Sequence, residues 1–213
     1  MSLKEELDKF AAQTMQASPD YESWVEELVA DLETEFDDQQ ILKEGDIAPH
    51  FTLPSATGEQ VSLRARLDQG PVILSFYRGG WCPYCNLELR AFQAILADIQ
   101  STGASLVAIS PQSPDDSLTT AEKEHLSFDV LSDHGSTVAD EYGIAFELGG
   151  SLKMVQEKSG YDLAQLNAAK DWRIPVPATF VIGSDGGIKL AHVDLDYRNR
   201  LEPSHALDVL RSL

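Results

Sequence analysis

The 213 residues of this chain are enough for one well-packed domain of about 100–200 residues together with an additional segment. A hydrophobic fraction of 43% excludes intrinsic disorder over most of the chain. The net charge of −19 would repel both nucleic acid and an anionic membrane surface, so we expect neither as a partner.

The two ends of the chain differ in charge. Residues 1–44 hold 13 acidic side chains against three lysines. This pattern predicts an acidic N-terminal helical extension over 1–44, followed by a single domain over 45–213. No apolar run approaches the roughly 20 residues that span a bilayer. Residues 1–6 also lack the apolar stretch of a signal peptide, so we expect a cytoplasmic location.

Two helices are predicted in the extension, over 3–16 and 20–43, separated by Ser18-Pro19-Asp20. The second helix carries one apolar stripe on an otherwise acidic surface, formed by Trp24, Val25, Leu28, Val29, Leu32 and Phe36. The stripe is interpreted first as a face that packs on the domain's own core. The alternative is a homodimer contact through the N-terminal helices.

Strands and helices alternate through the rest of the chain, and a hairpin closes it. Strands are predicted at 71–77, 106–110 and 130–131, with hairpins at 48–54/61–63 and 178–182/188–193. Helices are predicted at 83–101, 114–125, 135–142 and 203–213, and 147–170 is read as mixed and partly helical. This order predicts a central mixed sheet covered on both faces.

The chain has only two cysteines, Cys82 and Cys85, in the segment Trp81-Cys82-Pro83-Tyr84-Cys85. A disulfide closing so short a loop adds little stability, so the pair points to redox chemistry or metal binding. The five histidines are scattered without paired spacing, which leaves a zinc site without its second half. We therefore expect no metal.

The two cysteines follow a predicted buried strand and lie in the first turn of a predicted helix. Pro83 suits such a start because its missing N–H would have no helical partner there. Unpaired N–H groups and the helix dipole stabilise a thiolate at this position. Arg78 would strengthen the effect if it folded back over the helix start, and Trp81 is expected to be partly exposed beside the sulfur atoms.

Pro177 directly precedes a predicted strand in Ile174-Pro175-Val176-Pro177-Ala178. A proline at this place suits a cis peptide bond that presents the backbone of Val176 to a bound sulfur. The alternative is an ordinary trans proline at a strand start. Residues 194–200 hold two arginines and a tyrosine and are read as a solvated loop or, alternatively, as part of a substrate entrance.

The chain resembles the peroxiredoxin-like branch of the alkyl hydroperoxide reductase C/thiol-specific antioxidant (AhpC/TSA) family. The resemblance runs from about Gly45 to the C-terminus. Its segments are Gly45–Leu53, Leu131–Asp133, Val138–Gly143 and Pro177–Ile182, besides the cysteine motif. It implies an α/β fold, a thioredoxin-like three-layer α/β/α sandwich with a central mixed sheet, preceded in this chain by the helical extension. It also favours the cis form of the bond before Pro177.

The register of the resemblance places Cys85 at the peroxidatic cysteine, with Glu88 at the family's following glutamate. Cys82 then stands where the family has threonine, Arg78 where it has proline, and Pro177 where it has arginine. Threonine and arginine normally polarise the peroxide. Peroxide attack is therefore expected to be slower unless another arginine substitutes, the possibilities being Arg78, Arg173, Arg198 and Arg200.

The resemblance implies a thiol-dependent oxidoreductase with a Cys82/Cys85 dithiol–disulfide cycle, acting on hydroperoxides or disulfides without a cofactor. The Tyr84-containing motif is also that of glutaredoxins. The implied partner is an external thiol reductant, either a thioredoxin-like protein or glutathione. The alternatives are a disulfide reductase without significant peroxidase activity and a non-catalytic interaction protein. The residues leave open which cysteine attacks peroxide.

Overall fold

A computed structural model describes residues 2–37, 39–158, 160–167 and 169–213. The helices are α1 (Leu3–Ala17), α2 (Tyr21–Glu35), α3 (Leu63–Leu67), α4 (Pro83–Ala94), α5 (Leu96–Ser101), α6 (Pro114–Lys123), α7 (Thr137–Glu141), α8 (Gly150–Lys158), α9 (Leu163–Leu166) and α10 (Pro203–Arg211). The strands are β1 (Thr52–Pro54), β2 (Gln60–Ser62), β3 (Val72–Phe76), β4 (Ser105–Ser110), β5 (Asp129–Ser132), β6 (Ala145–Glu147), β7 (Arg173–Pro175), β8 (Ala178–Ile182) and β9 (Ile188–Val193).

The centre of the molecule is a five-stranded mixed sheet in the order β5–β4–β3–β8–β9. Strands β3, β4 and β5 are parallel, and β8 and β9 are antiparallel to their neighbours. The expected mixed sheet is therefore confirmed. The β1–β2 hairpin is confirmed as well, whereas the short β6–β7 pair and α3 were not predicted.

Both faces of the sheet are buried, which explains why β3 reads as a continuous apolar run. Val72, Leu74 and Phe76 point to one face, where the cluster includes residues of α3 and α7. Ile73 and Tyr77 point to the other face, towards residues of α4, α5 and α10. Helices thus cover the sheet on both sides, and the predicted three-layer sandwich is confirmed.

Helices α1 and α2 pack on the body of the protein beside α4 and α8. The stripe residues Val25, Leu28 and Leu32 are buried in the apolar cluster that also contains Cys82 and Cys85. The interpretation that the stripe packs on the chain's own core is therefore confirmed. A homodimer through these helices and the domain boundary at residue 44 stay predictions.

The second helix is shorter than predicted, because α2 ends at Glu35. Phe36 adopts extended dihedral angles and packs edge-on against Phe146, which draws the chain out of the helical path. Residue 38 of the helix predicted over 20–43 lies outside the described residues. Residues 159 and 168 of the mixed segment predicted over 147–170 also lie outside them. The helix predicted over 83–101 is divided into α4 and α5 at Ile95, where the backbone leaves helical geometry.

Among the described residues, no helix combines the length and the apolar character that crossing a bilayer would require.

Candidate active site

The two cysteines lie where β3 gives way to α4. The chain leaves β3 at Phe76, turns through residues 77–81, and begins α4 with Cys82 as the N-cap and Pro83 as the first helical residue. The Asn86 N–H donates to the Cys82 carbonyl at 3.1 Å, which is the first bond of the helix. The predicted position at a helix start is confirmed.

The loop before Cys82 is held by close packing. The Gly80 N–H donates to the Gln112 side chain at 2.7 Å, and the Asn86 amide donates to the Gly80 carbonyl at 2.9 Å. A Cβ atom on Gly79 would lie 2.4 Å from the Trp81 ring nitrogen, and one on Gly80 would lie 2.2 Å from Thr120 Oγ1. A larger residue at either position would therefore force the Trp81 or Thr120 side chain to move.

The two thiols are reduced and buried, with Cys82 2% exposed and Cys85 completely enclosed. Burial alone would raise the pKa of Cys82, but a hydrogen bond from Cys85 and the charges of Arg78 and Arg200 lower it to about 6. Burial and the neighbouring Cys82 raise the pKa of Cys85 well above its ordinary value. The arrangement stabilises a thiolate on Cys82 with a protonated Cys85 beside it.

Arg78 folds back towards the helix start. Its guanidinium lies 4.2 Å from the centre of the Tyr197 ring and 5.0 Å from that of Trp81. The side chain is 2% exposed, and no carboxylate forms an ion pair with it in the described part of the chain. Because no carboxylate neutralises its charge, Arg78 lowers the pKa of the Cys82 thiol. Trp81 is partly exposed, as predicted.

A second arginine approaches the other sulfur. Arg200 Nη2 lies 3.5 Å from Cys85 Sγ, and Arg200 also forms a buried ion pair with Glu88. The Arg200 Nε donates to the Tyr197 carbonyl at 2.7 Å, and Thr179 donates to Glu88 at 3.4 Å. Burial raises the pKa of Glu88 while Arg200 opposes the rise. Arg200 thus places a fixed positive charge at Cys85.

The other two arginines named as possible substitutes are engaged elsewhere. Arg173 pairs with Asp140, and Arg198 pairs with Asp196 at 2.7 Å and with Glu22 at 2.8 Å.

The prediction for Pro177 is wrong. The Val176–Pro177 peptide bond is trans, in keeping with the intrinsic preference of proline bonds for the trans form. Pro177 sits immediately before β8, where its missing N–H removes no bond within the strand. The Val176 N–H donates to the Ile144 carbonyl at 2.7 Å, so this donor is unavailable to a bound sulfur.

Six of the eight predicted site residues lie in the loop before α4 and in its first turn: Arg78, Trp81, Cys82, Pro83, Tyr84 and Cys85. Val176 and Pro177 enter the sheet beside this loop, because Ala178 pairs with Phe76 at the end of β3. Tyr84 is buried and meets Tyr197 edge-on, with ring centres 5.6 Å apart, while Pro83 is exposed. The reading of 194–200 as a solvated loop is wrong for Tyr197 and Arg200, which are buried in the site. The sequence feature that could have indicated their place in the site is the unusual run of arginines and a tyrosine after a strand end.

Phe10 and Tyr21 of the N-terminal helices were missed altogether. Phe10 packs edge-on against Tyr84, with 5.1 Å between ring centres, and the Tyr21 and Tyr197 hydroxyls are 2.7 Å apart. No local motif marks these two residues as neighbours of the cysteines.

The fold and site define a thioredoxin-like protein with a dithiol at a helix start. The model of the AhpC/TSA family matches residues 45–191, and the chain belongs to this family. The chain is similar to Peroxiredoxin Bcp of Escherichia coli (strain K12), with 35% identity over 103 residues, which are 48% of this chain and 65% of the relative. It thus spans less than two thirds of that relative's length.

Two further similarities cover more of the molecule. Peroxiredoxin Q of Sedum lineare, described as chloroplastic, is 28% identical over 77% of this chain and 73% of its own length. The crystal structure of Peroxidoxin BcpB from Mycobacterium tuberculosis matches 81% of this chain and 98% of its own, with 26% identity and a TM-score of 0.64.

Proposed function

We propose that this protein is a thiol peroxidase in which Cys82 attacks a hydroperoxide and Cys85 resolves the product. The observation that carries the proposal is the Cys82 thiol, which lines a cavity and has a pKa lowered to about 6. Such a thiol is about nine-tenths ionised at pH 7. Membership of the AhpC/TSA family supports peroxide as the oxidant.

In the first step the Cys82 thiolate attacks the distal oxygen of ROOH. The S–O bond forms as the O–O bond breaks, which oxidises Cys82 to a sulfenic acid and reduces the peroxide to ROH once a proton is taken up. Arg78 lies on the Cys82 side with its charge not neutralised by a carboxylate. Its guanidinium would stabilise the negative charge that develops on the leaving oxygen.

In the second step the Cys85 sulfur attacks the Cys82 sulfenic acid, and water leaves as the disulfide forms. Cys85 must lose its proton for this attack, and its raised pKa opposes that loss. Arg200, which lies against Cys85 Sγ, favours the thiolate at that moment. An external dithiol or two molecules of glutathione then reduce the disulfide by thiol–disulfide exchange, as a cytoplasmic location would allow.

The family register and the site environment disagree on the attacking cysteine. The match to the family's sequence motif favours Cys85 as the attacking residue. The accessibility of the thiol to peroxide and its thiolate character favour Cys82. We choose Cys82 because Cys85 is fully enclosed and has a raised pKa.

The test is rapid-mixing oxidation of the reduced protein by hydrogen peroxide, followed by dimedone trapping and peptide mass spectrometry. In Cys85→Ser we expect a trapped sulfenic acid on Cys82, formed at a rate near that of the unsubstituted protein. In Cys82→Ser we expect oxidation to slow by at least about a hundredfold. Rapid trapping on Cys85 in Cys82→Ser would contradict the assignment and favour the register.

A disulfide reductase is the second candidate. It is favoured by the Trp-Cys-Pro-Tyr-Cys arrangement and by Pro177 standing where the family has arginine. Rapid reaction of the reduced protein with a model disulfide, with no reaction towards hydrogen peroxide, would select this alternative.

A further inference from the structure

A small cavity lies against Cys82, and Cys85 is not among the residues that line it. Its volume is about 130 Å³, and Cys82 and Tyr84 form one part of its lining. Phe10 and Thr14 of α1 and Tyr21 of α2 form another part. The family match begins only at residue 45, so this part of the wall is supplied by the segment that precedes it.

The N-terminal wall is fixed by contacts on both helices. Phe10 packs against Tyr84, and Tyr21 shares a hydrogen bond of 2.7 Å with Tyr197. Glu22, the next residue, pairs with Arg198 at 2.8 Å. Leu3 and Leu7 lie on the buried face of α1. The wall is therefore a packed part of the protein.

The chemistry of the cavity is apolar with one positive end. Phe10, Leu152 and Val155 provide hydrocarbon surface, while Arg78 lines the cavity with a buried guanidinium. The Nε of this guanidinium has no hydrogen-bond partner among the described residues. A dry apolar cavity of about 150 Å³ is large enough to hold benzene. The space beside Cys82 therefore suits a compact hydrocarbon group joined to an oxygen that gains negative charge near Arg78.

We propose that Phe10, Thr14 and Tyr21 are specificity-determining residues, which limit the hydroperoxides that reach Cys82 to compact organic ones and hydrogen peroxide. This inference rests on the proposed peroxidase function with Cys82 as the attacking residue. Bulkier hydroperoxides are disfavoured because the two helices close the cavity around Cys82, a residue that is only 2% exposed.

The test compares hydrogen peroxide, tert-butyl hydroperoxide and cumene hydroperoxide in single-turnover oxidation of the full-length protein. Phe10→Ala removes part of the wall and is expected to raise the cumene hydroperoxide rate on the order of tenfold relative to hydrogen peroxide. Thr14→Leu narrows the cavity and is expected to lower the rates of both organic hydroperoxides by a similar factor. The readout is the ratio of each organic hydroperoxide rate to the hydrogen peroxide rate measured in the same variant.

Leu7→Ala is the matched control, because Leu7 is a buried residue of the same helix, α1, but is not among the residues that line the cavity. If Leu7→Ala changes the selectivity as Phe10→Ala does, loosening of the helix is the cause and the inference is overturned. Unchanged selectivity in folded Phe10→Ala and Thr14→Leu also overturns the inference. If hydrogen peroxide still oxidises Cys82 in that case, the proposed peroxidase function is retained. Failure of all three peroxides to oxidise Cys82 in the unsubstituted protein would instead overturn the proposed function.

Discussion

Two chemically identical thiols, three positions apart, are made different by their surroundings. Cys82 is the N-cap residue, faces a cavity, and has Arg78 on its side of the site. Cys85 is enclosed one turn further in, where Arg200 is the charged group in contact with its sulfur. Under the proposed function, this division makes Cys82 the nucleophile and keeps Cys85 protonated until the resolving step.

At the residue scale, we expect Arg78→Met to raise the pKa of Cys82. In the unsubstituted protein, alkylation of Cys82 by iodoacetamide should follow a thiolate curve with a midpoint near 6, falling as the pH drops and the thiolate is protonated. Removing a nearby opposite charge should move the midpoint upward by about one unit. The alkylation rate at pH 6 should then fall about fivefold.

The measurement is the pH profile of alkylation at Cys82, located by peptide mass spectrometry. Arg173→Met is the control, because Arg173 pairs with Asp140 and has no contact with the cysteines among the described residues. An unchanged midpoint in Arg78→Met would show that Arg78 does not lower the pKa of the Cys82 thiol.

At the scale of elements, the segment between β3 and α4 is held in place by α6. A Cβ on Gly80 would meet Thr120 Oγ1 at 2.2 Å, and Thr120 lies on α6. The loop and this helix therefore fix the position of Cys82 together, which links the packing of α6 to the reactivity of the site.

Gly80→Ala is expected to destabilise the protein by about 1–3 kcal/mol, the usual cost of overpacking. Adding Thr120→Ala should restore most of the loss, since the remaining nearest atom, Thr120 Cβ, lies 3.2 Å from the new methyl group. The measurement is the urea unfolding midpoint. Gly149→Ala serves as the control, because a Cβ there would have no atom of the described residues within 4 Å. A Gly80→Ala midpoint equal to that of Gly149→Ala would disprove the contact argument.

At the scale of the whole molecule, the N-terminal helices share a core with the active site. Leu28 and Leu32 of α2 belong to the same apolar cluster as Cys82, Leu89 and Leu152. Glu202, just before α10, accepts hydrogen bonds from the backbone of Leu3 and Lys4 at 3.3 and 2.7 Å. Both ends of the chain are thus joined to one packed unit.

Leu28→Ala is therefore expected to destabilise the entire protein by about 2–5 kcal/mol, through lost burial and the cavity left behind. Unfolding followed by far-ultraviolet circular dichroism and by tryptophan fluorescence should shift together. Glu26→Ala, on the exposed face of the same helix, should change stability by less than about 0.5 kcal/mol. A separate early transition of the helices alone would contradict the shared core.

Local patterns in the sequence were sufficient for the sheet and for the start of α4. The apolar run of β3, the helix-compatible Pro83 and the spacing of the cysteines act over a few residues, and local backbone preferences fix them. The end of α2 was missed because Phe36 leaves the helix to reach Phe146, 110 positions away in the chain. The trans form of the bond before Pro177 was also missed, because a resemblance had favoured cis.

The sequence by itself determined that this protein has a dithiol at a helix start within a covered mixed sheet. Only the tertiary structure decided which charges and which walls surround the sulfur atoms. Arg200 reaches Cys85 across 115 positions, and Tyr21 reaches Tyr197 across 176. Such contacts depend on how distant elements pack, and no local pattern encodes them. The same packing, through burial and charge, makes Cys82 and Cys85 unequal.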